Sequence, residues 1–157
     1  MKQFSFFVFL VFAISCKSDK NQTVKPISIE FEKEGELLFL TDTDTIIKLD
    51  IEFAQTDYEQ QTGLMHREDM EMTQGMLFIY EDEQPRPAFY MKNTKMALDL
   101  IYINSDFRVV EINRDTKPYN ESPIGAQQPA QYVLEVNAGF ADKYKITDSL
   151  KIDFKKQ

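Results

Sequence analysis

The sequence predicts a mostly β (α+β) domain: a rolled, mainly antiparallel sheet or partly open barrel of seven to nine short strands with one or two short helices. Three observations point there. Apolar residues recur with a period of two in short runs along most of the chain. Gly, Pro, Asn and Asp punctuate those runs, and only the stretches near residues 56 and 138 carry helical spacing.

Taken in order, residues 27–31 (ISIEF) alternate and read as a strand, with a turn at 32–35 before the apolar run 37–40. The cleanest strand is 46–53 (IIKLDIEF): Ile47, Leu49, Ile51 and Phe53 share one face, and Lys48, Asp50 and Glu52 the other. Thr56 and Glu59 stand at capping-box spacing and open a short helix that should end near His66. Gly63 lowers helix propensity there, which points to close packing against a neighbour. Residues 76–80 (MLFIY) read as a strand, 81–87 (EDEQPRP) as a loop, and 88–91 and 100–103 as strands. A turn at 104–106 leads into strand 108–113 and completes a hairpin. Residues 116–129, with three prolines, form the longest irregular segment. Residues 131–137 (QYVLEVN) make a strand with Tyr132, Leu134 and Val136 opposite Val133 and Glu135. A helical turn at 138–144 and a strand at 149–154 complete the chain. Short connections between neighbours favour antiparallel pairing.

The N-terminus reads as a separate element. A short basic start precedes an apolar run at 4–13, too short to span about 30 Å of hydrocarbon as a helix but suited to a signal-peptide core. Small residues then precede Cys16, the chain's one cysteine, an arrangement that resembles a bacterial lipobox. The expected organisation is a lipoprotein signal peptide at 1–15, an acylated Cys16 with a flexible tether to residue 26, and one globular β-rich domain at 27–157. That places the domain in the cell envelope, outside the cytoplasm, with the membrane as partner through its lipid.

Composition removes several classes. The formal net charge is −8, and loss of residues 1–15 with their one lysine makes it −9. Such a field opposes nonspecific nucleic-acid binding, which requires neutralising phosphate, so no nucleic-acid partner is expected. A cysteine used for acylation leaves no thiol for disulfides or nucleophilic attack. With a single histidine, zinc and iron–sulfur sites lack ligands. Met65, Met70, Met72, Met76, Met91 and Met96 could ligate Cu(I) beside His66, but no regular Met array exists and core filling is the simpler role. Neither a metal nor a cofactor is expected. Nucleophile-elbow, Walker A and dinucleotide fingerprints are absent.

Several motifs occur in a fixed order: Gly63-Leu64-Met65-His66-Arg67, Gly75-Met76-Leu77-Phe78, residues 89–94 (FYMKNT), Leu98-Asp99, Pro118-Tyr119 and residues 132–139 (YVLEVNAG). Together they resemble the domain of unknown function 192 family over roughly residues 47–154. The resemblance implies a compact, mostly β fold and carries no assigned activity. Tyr90 stands where that family usually has Trp, Ala97 where it often has Pro, and Thr147-Asp148 where Gly-Asp is common. If the family's aromatic at position 90 contacts a ligand, the exchange to Tyr alters its specificity.

The segment from Lys92 to Asp99 gathers polar groups between apolar runs. One outcome is purely architectural, with Asn93 and Thr94 shaping a connection, Lys92 in water and Asp99 paired locally. The functional outcome is a pocket for a small polar or anionic ligand, with Arg67 and Lys92 supplying charge, Asn93 and Thr94 orientation, and Asp99 acceptors. No catalytic residue is assigned. A non-enzymatic binding domain leads, followed by a scaffold without a small-molecule site, then a small hydrolase using Lys92, Asp99 and Arg67.

Overall fold

Seven strands of one mixed sheet organise the computed structural model, which describes residues 29–86 and 88–157. The signal segment, Cys16 and the tether lie outside the described residues. The elements are β1 (Gly35–Leu40), β2 (Thr45–Ala54), α1 (Asp57–Thr62), β3 (Gln74–Gln84), β4 (Leu98–Ile103), β5 (Val109–Thr116), β6 (Ala130–Asn137), α2 (Phe140–Lys143) and β7 (Lys151–Lys156). Strand order is β5-β4-β6-β3-β2-β1-β7. The two edge strands approach one another at a single bridge, Arg108 with Lys151, flanked by Val109 N–H donating to Leu150 O (3.0 Å) and Ile152 N–H to Phe107 O (2.8 Å). The sheet is therefore rolled and nearly meets itself without closing, as the period-two runs predict.

The pairing is antiparallel everywhere except between β2 and β3, which run parallel. Antiparallel neighbours were expected from short connections, and here the connection is long: residues 55–73, including α1, carry the chain back to the start of the next strand. The crossover matters, because it lays α1 and the segment after it against the outer face of the sheet.

Four local expectations need correction. Residues 29–34 are not a strand; Glu32 N–H instead donates to Glu52 Oε1 (2.9 Å). The acidic run 81–84 belongs to β3 rather than to a loop, because its side chains face water while Glu83 accepts from Ser105 N–H (2.8 Å). Residues 88–91 form a strap with one isolated bridge, Phe89 to Ile124, rather than a sheet strand. Helix α1 stops at Thr62, four residues early, because Gly63 turns the chain at φ +46°. Its capping box is present as predicted: Glu59 N–H donates to Thr56 Oγ1 (3.3 Å), and Thr56 N–H to Glu59 Oε2 (2.9 Å).

Both faces of the sheet are covered. Leu37, Phe39, Leu49, Ile51, Leu77, Ile101 and Leu134 fill the inner face, closed at one end by Phe140 of α2. The outer face holds Met76, Phe78, Leu100, Tyr102 and Val133 under Leu64, Met70 and Met91. Five of the six domain methionines pack in or against these two cores, the gap-filling role expected of them.

Candidate functional site

The outer face carries two acids where the strand pattern calls for apolar or solvated residues. Glu52 on β2 and Glu135 on β6 both register with Met76 on β3, so they share a row across the sheet, two strands apart. Glu52 and Glu135 are each 6% exposed. Their surroundings differ. Arg67, delivered by the segment after α1, clamps Glu52 as an ion pair: Nη1 donates to Oε1 (3.1 Å) and Nη2 lies 2.8 Å from Oε2, although among the described residues Oε2 has no hydrogen bond. Glu135 has no such clamp, and among the described residues its Oε2 has no hydrogen-bond partner. Burial pushes its carboxyl up to about 8, with the charge of Arg67 working in the opposite direction. The group is therefore protonated near neutral pH.

Above Glu135 lies a cavity of about 240 Å³. Phe78 and Glu135 form its floor; Asp57 with residues 60–65 makes one wall, and Tyr80 with the strap 88–90 and Thr94 makes the other. Each wall has a local cause. Gln60 Nε2 donates to Ile79 O (2.9 Å), holding α1 over β3. Gly63 passes so close that a Cβ there would sit 3.0 Å from Phe78 Cζ and 3.6 Å from Glu135 Oε2, which is the close packing its place in the sequence foretold. The strap is fixed by paired 2.8 Å bonds between Phe89 and Ile124 and by the edge-on packing of Phe89 against Phe78 and Tyr102. The walls meet where His66 N–H donates to Asn93 O (2.9 Å), with both residues in the left-handed region. Tyr90 stands at the mouth, 45% exposed.

Of the five residues proposed from the sequence, Thr94 alone lines this cavity. Its side chain is buried, and Oγ1 donates to Lys92 O (3.3 Å). Asn93 and Lys92 are exposed on the turn behind it. Arg67 lies in a neighbouring cleft with Glu52, Thr62 and Gly63; among the described residues its Nε is unpartnered. Asp99 points to the inner face, where Oδ1 accepts from Asp115 N–H (2.9 Å) and Oδ2 from Ala141 N–H (3.0 Å), tying β5 and α2 to β4. The set is thus divided between the two faces, because Asp99 has the parity of Ile101 and Ile103 on β4.

Sequence reasoning placed Glu135 with Val133 on the face opposite Tyr132, Leu134 and Val136 and did not single it out as a site residue. One signal was available. Val133 shares that face, so residues 132–136 (YVLEV) are apolar on both sides, the pattern of a strand buried on both faces. An acid inside such a run is buried.

No curated protein matches the chain. Among solved structures, a protein of unknown function from Novosphingobium aromaticivorans DSM 12444 is 31% identical, with a TM-score of 0.70 over 75% of this chain and 83% of its own. A proposed transcription regulator from Sinorhizobium meliloti 1021 is 29% identical, with a TM-score of 0.73 over 80% of this chain and 97% of its own. The family model DUF192, described as "Uncharacterized ACR", matches residues 38–154, and the chain belongs to that family.

Proposed function

We propose that the protein is a lipid-anchored envelope domain that binds a small molecule in the cavity above Glu135. One observation carries the binding role: the buried Glu135 lines an aromatic-walled cavity open to solvent at Tyr90, and among the described residues its Oε2 has no hydrogen-bond partner. A buried polar group left unpaired costs about 1–3 kcal/mol, and a ligand that satisfies it recovers that cost on binding. The hydrolase alternative gains nothing from the geometry, since Arg67 and Asp99 already serve protein groups. A nucleic-acid role, which the description of the Sinorhizobium neighbour raises, meets a formal net charge of −8.

A thermal-shift screen of the purified full chain tests the binding role, using sugars, amines, organic acids, nucleosides and metal salts. The expected result is at least one compound that raises the melting temperature of the wild type and not of Tyr90→Ala. If no compound does so, the binding role falls. The anchor rests on residues 1–16 alone. Radioactive palmitate should label the mature chain, and Cys16→Ser should abolish the label; an unlabelled wild-type chain refutes the anchor.

A further inference from the structure

The chemistry of the cavity wall narrows the ligand further, resting on the binding role just proposed. Among the described residues that line it there is no Lys, Arg or His, whereas Glu135 lies at the floor and Asp57 also lines it. Four aromatic rings, Phe78, Tyr80, Phe89 and Tyr90, also line it; the Arg86 guanidinium already covers one face of Tyr80 at 4.3 Å and is paired with Asp82, which leaves Phe78, Phe89 and Tyr90 for a ligand. Ring faces attract cations through their quadrupoles, and the attraction grows as water is excluded. The Arg67 charge that acts on Glu135 is balanced by Glu52 at 2.8 Å, so it does not reserve the floor for an anion. In size, about 240 Å³ exceeds the roughly 150 Å³ that holds a benzene in an engineered cavity, leaving room for one ring and a short substituent.

We infer that the cavity binds an organic cation about the size of one substituted aromatic ring, its ammonium group set against Glu135. This replaces the anionic ligand expected from Arg67 and Lys92, neither of which lines the cavity. The charged and titratable groups around Glu135 are Arg67 after α1 with its partner Glu52 on β2, Tyr80 on β3, Tyr102 on β4 and Asp57 on α1. A bound ammonium favours the carboxylate, so the carboxyl proton leaves to solvent as the ion pair forms.

Calorimetry on the full chain at pH 7 tests this with four probes: benzyltrimethylammonium, benzylamine, benzyl alcohol and benzoate. Both cations should bind at least about tenfold more tightly than benzyl alcohol, with benzoate weakest. Glu135→Gln should erase that preference, so that within the variant both cations bind no more than about threefold more tightly than benzyl alcohol. In the wild type, benzyltrimethylammonium has no proton to give, so titration in buffers of different ionisation enthalpy should report release of about one proton. Benzoate or benzyl alcohol binding as tightly as the cations overturns the inference. So does cation binding without proton release, or a preference that survives in Glu135→Gln. If none of the four binds while the broad screen finds another ligand, the cation assignment falls and the binding role stands. If both experiments find nothing, both fall.

Discussion

Asp99 and Glu135 are buried acids on adjacent strands, one register step apart and on opposite faces of the sheet. On the inner face, Asp99 accepts from two backbone amides, each oxygen answering a donor that would otherwise be an orphan. On the outer face, Glu135 lines an open cavity, and among the described residues its Oε2 has no partner. Equal burial therefore means different things. An acid whose acceptors are filled by the chain holds elements together, whereas one left incomplete beside a void is available to something that is not part of the chain. Glu52 stands between them: Arg67 neutralises its charge at 2.8 Å, although among the described residues its Oε2 has no hydrogen bond.

The contrast can be broken most severely at the completed pairs. Arg67→Met leaves Glu52 buried without its countercharge and should cost about 3–5 kcal/mol in urea unfolding, most of it regained in the double variant with Glu52→Met. A loss below about 1 kcal/mol would place Arg67 outside the structural group.

Glu135 should show the opposite sign, and pH separates it. Its carboxyl titrates near 4.5 when unfolded and near 8 when folded, so the folded state holds the extra proton between those values. The contribution of the group is fully present below about pH 4.5 and is lost as pH rises through about 8. Glu135→Gln removes that loss: relative to its behaviour at pH 4, the variant should gain on the order of 4 kcal/mol over the wild type by pH 9. Parallel stability curves across that range would show that Glu135 titrates normally.

Smaller effects sharpen the same comparison. Asp99→Ala strands the Asp115 and Ala141 amides and should cost about 2–4 kcal/mol, with Asp99→Asn nearer half because one carbonyl acceptor remains. Gly63→Ala combines a positive φ with a 3.0 Å approach to Phe78 and should cost about 1–3 kcal/mol, while narrowing the cavity enough to weaken any ligand. Thr56→Ala removes one cap bond of α1 and should cost about 1 kcal/mol.

Much of the architecture is readable from local rules. Alternation in residues 46–53 and 131–137 locates β2 and β6, and the Thr56–Glu59 spacing locates the start of α1. The rules fail where backbone pairing and side-chain burial separate. β3 continues through Glu81–Gln84 because an exposed strand end needs no buried face, and residues 88–91 leave the sheet although their side chains are apolar. For the site, the strap 89–94 was legible as a cluster of polar and aromatic groups, and Thr94 and Tyr90 do line the cavity. Glu135 was legible only to a reader who asked whether both faces of its strand were apolar.

By itself the sequence determined the strands, the cap of α1 and the presence of a polar cluster between apolar runs, because these follow from spacing within about ten residues. The tertiary structure decided which acid received Arg67, which face received Asp99, and which carboxyl was left facing a void. Those outcomes depend on the parallel crossover of residues 55–73 and on the registers of β2, β3, β4 and β6. Whether a buried charge is satisfied is set by groups brought in from distant parts of the chain, and no local pattern encodes that distance.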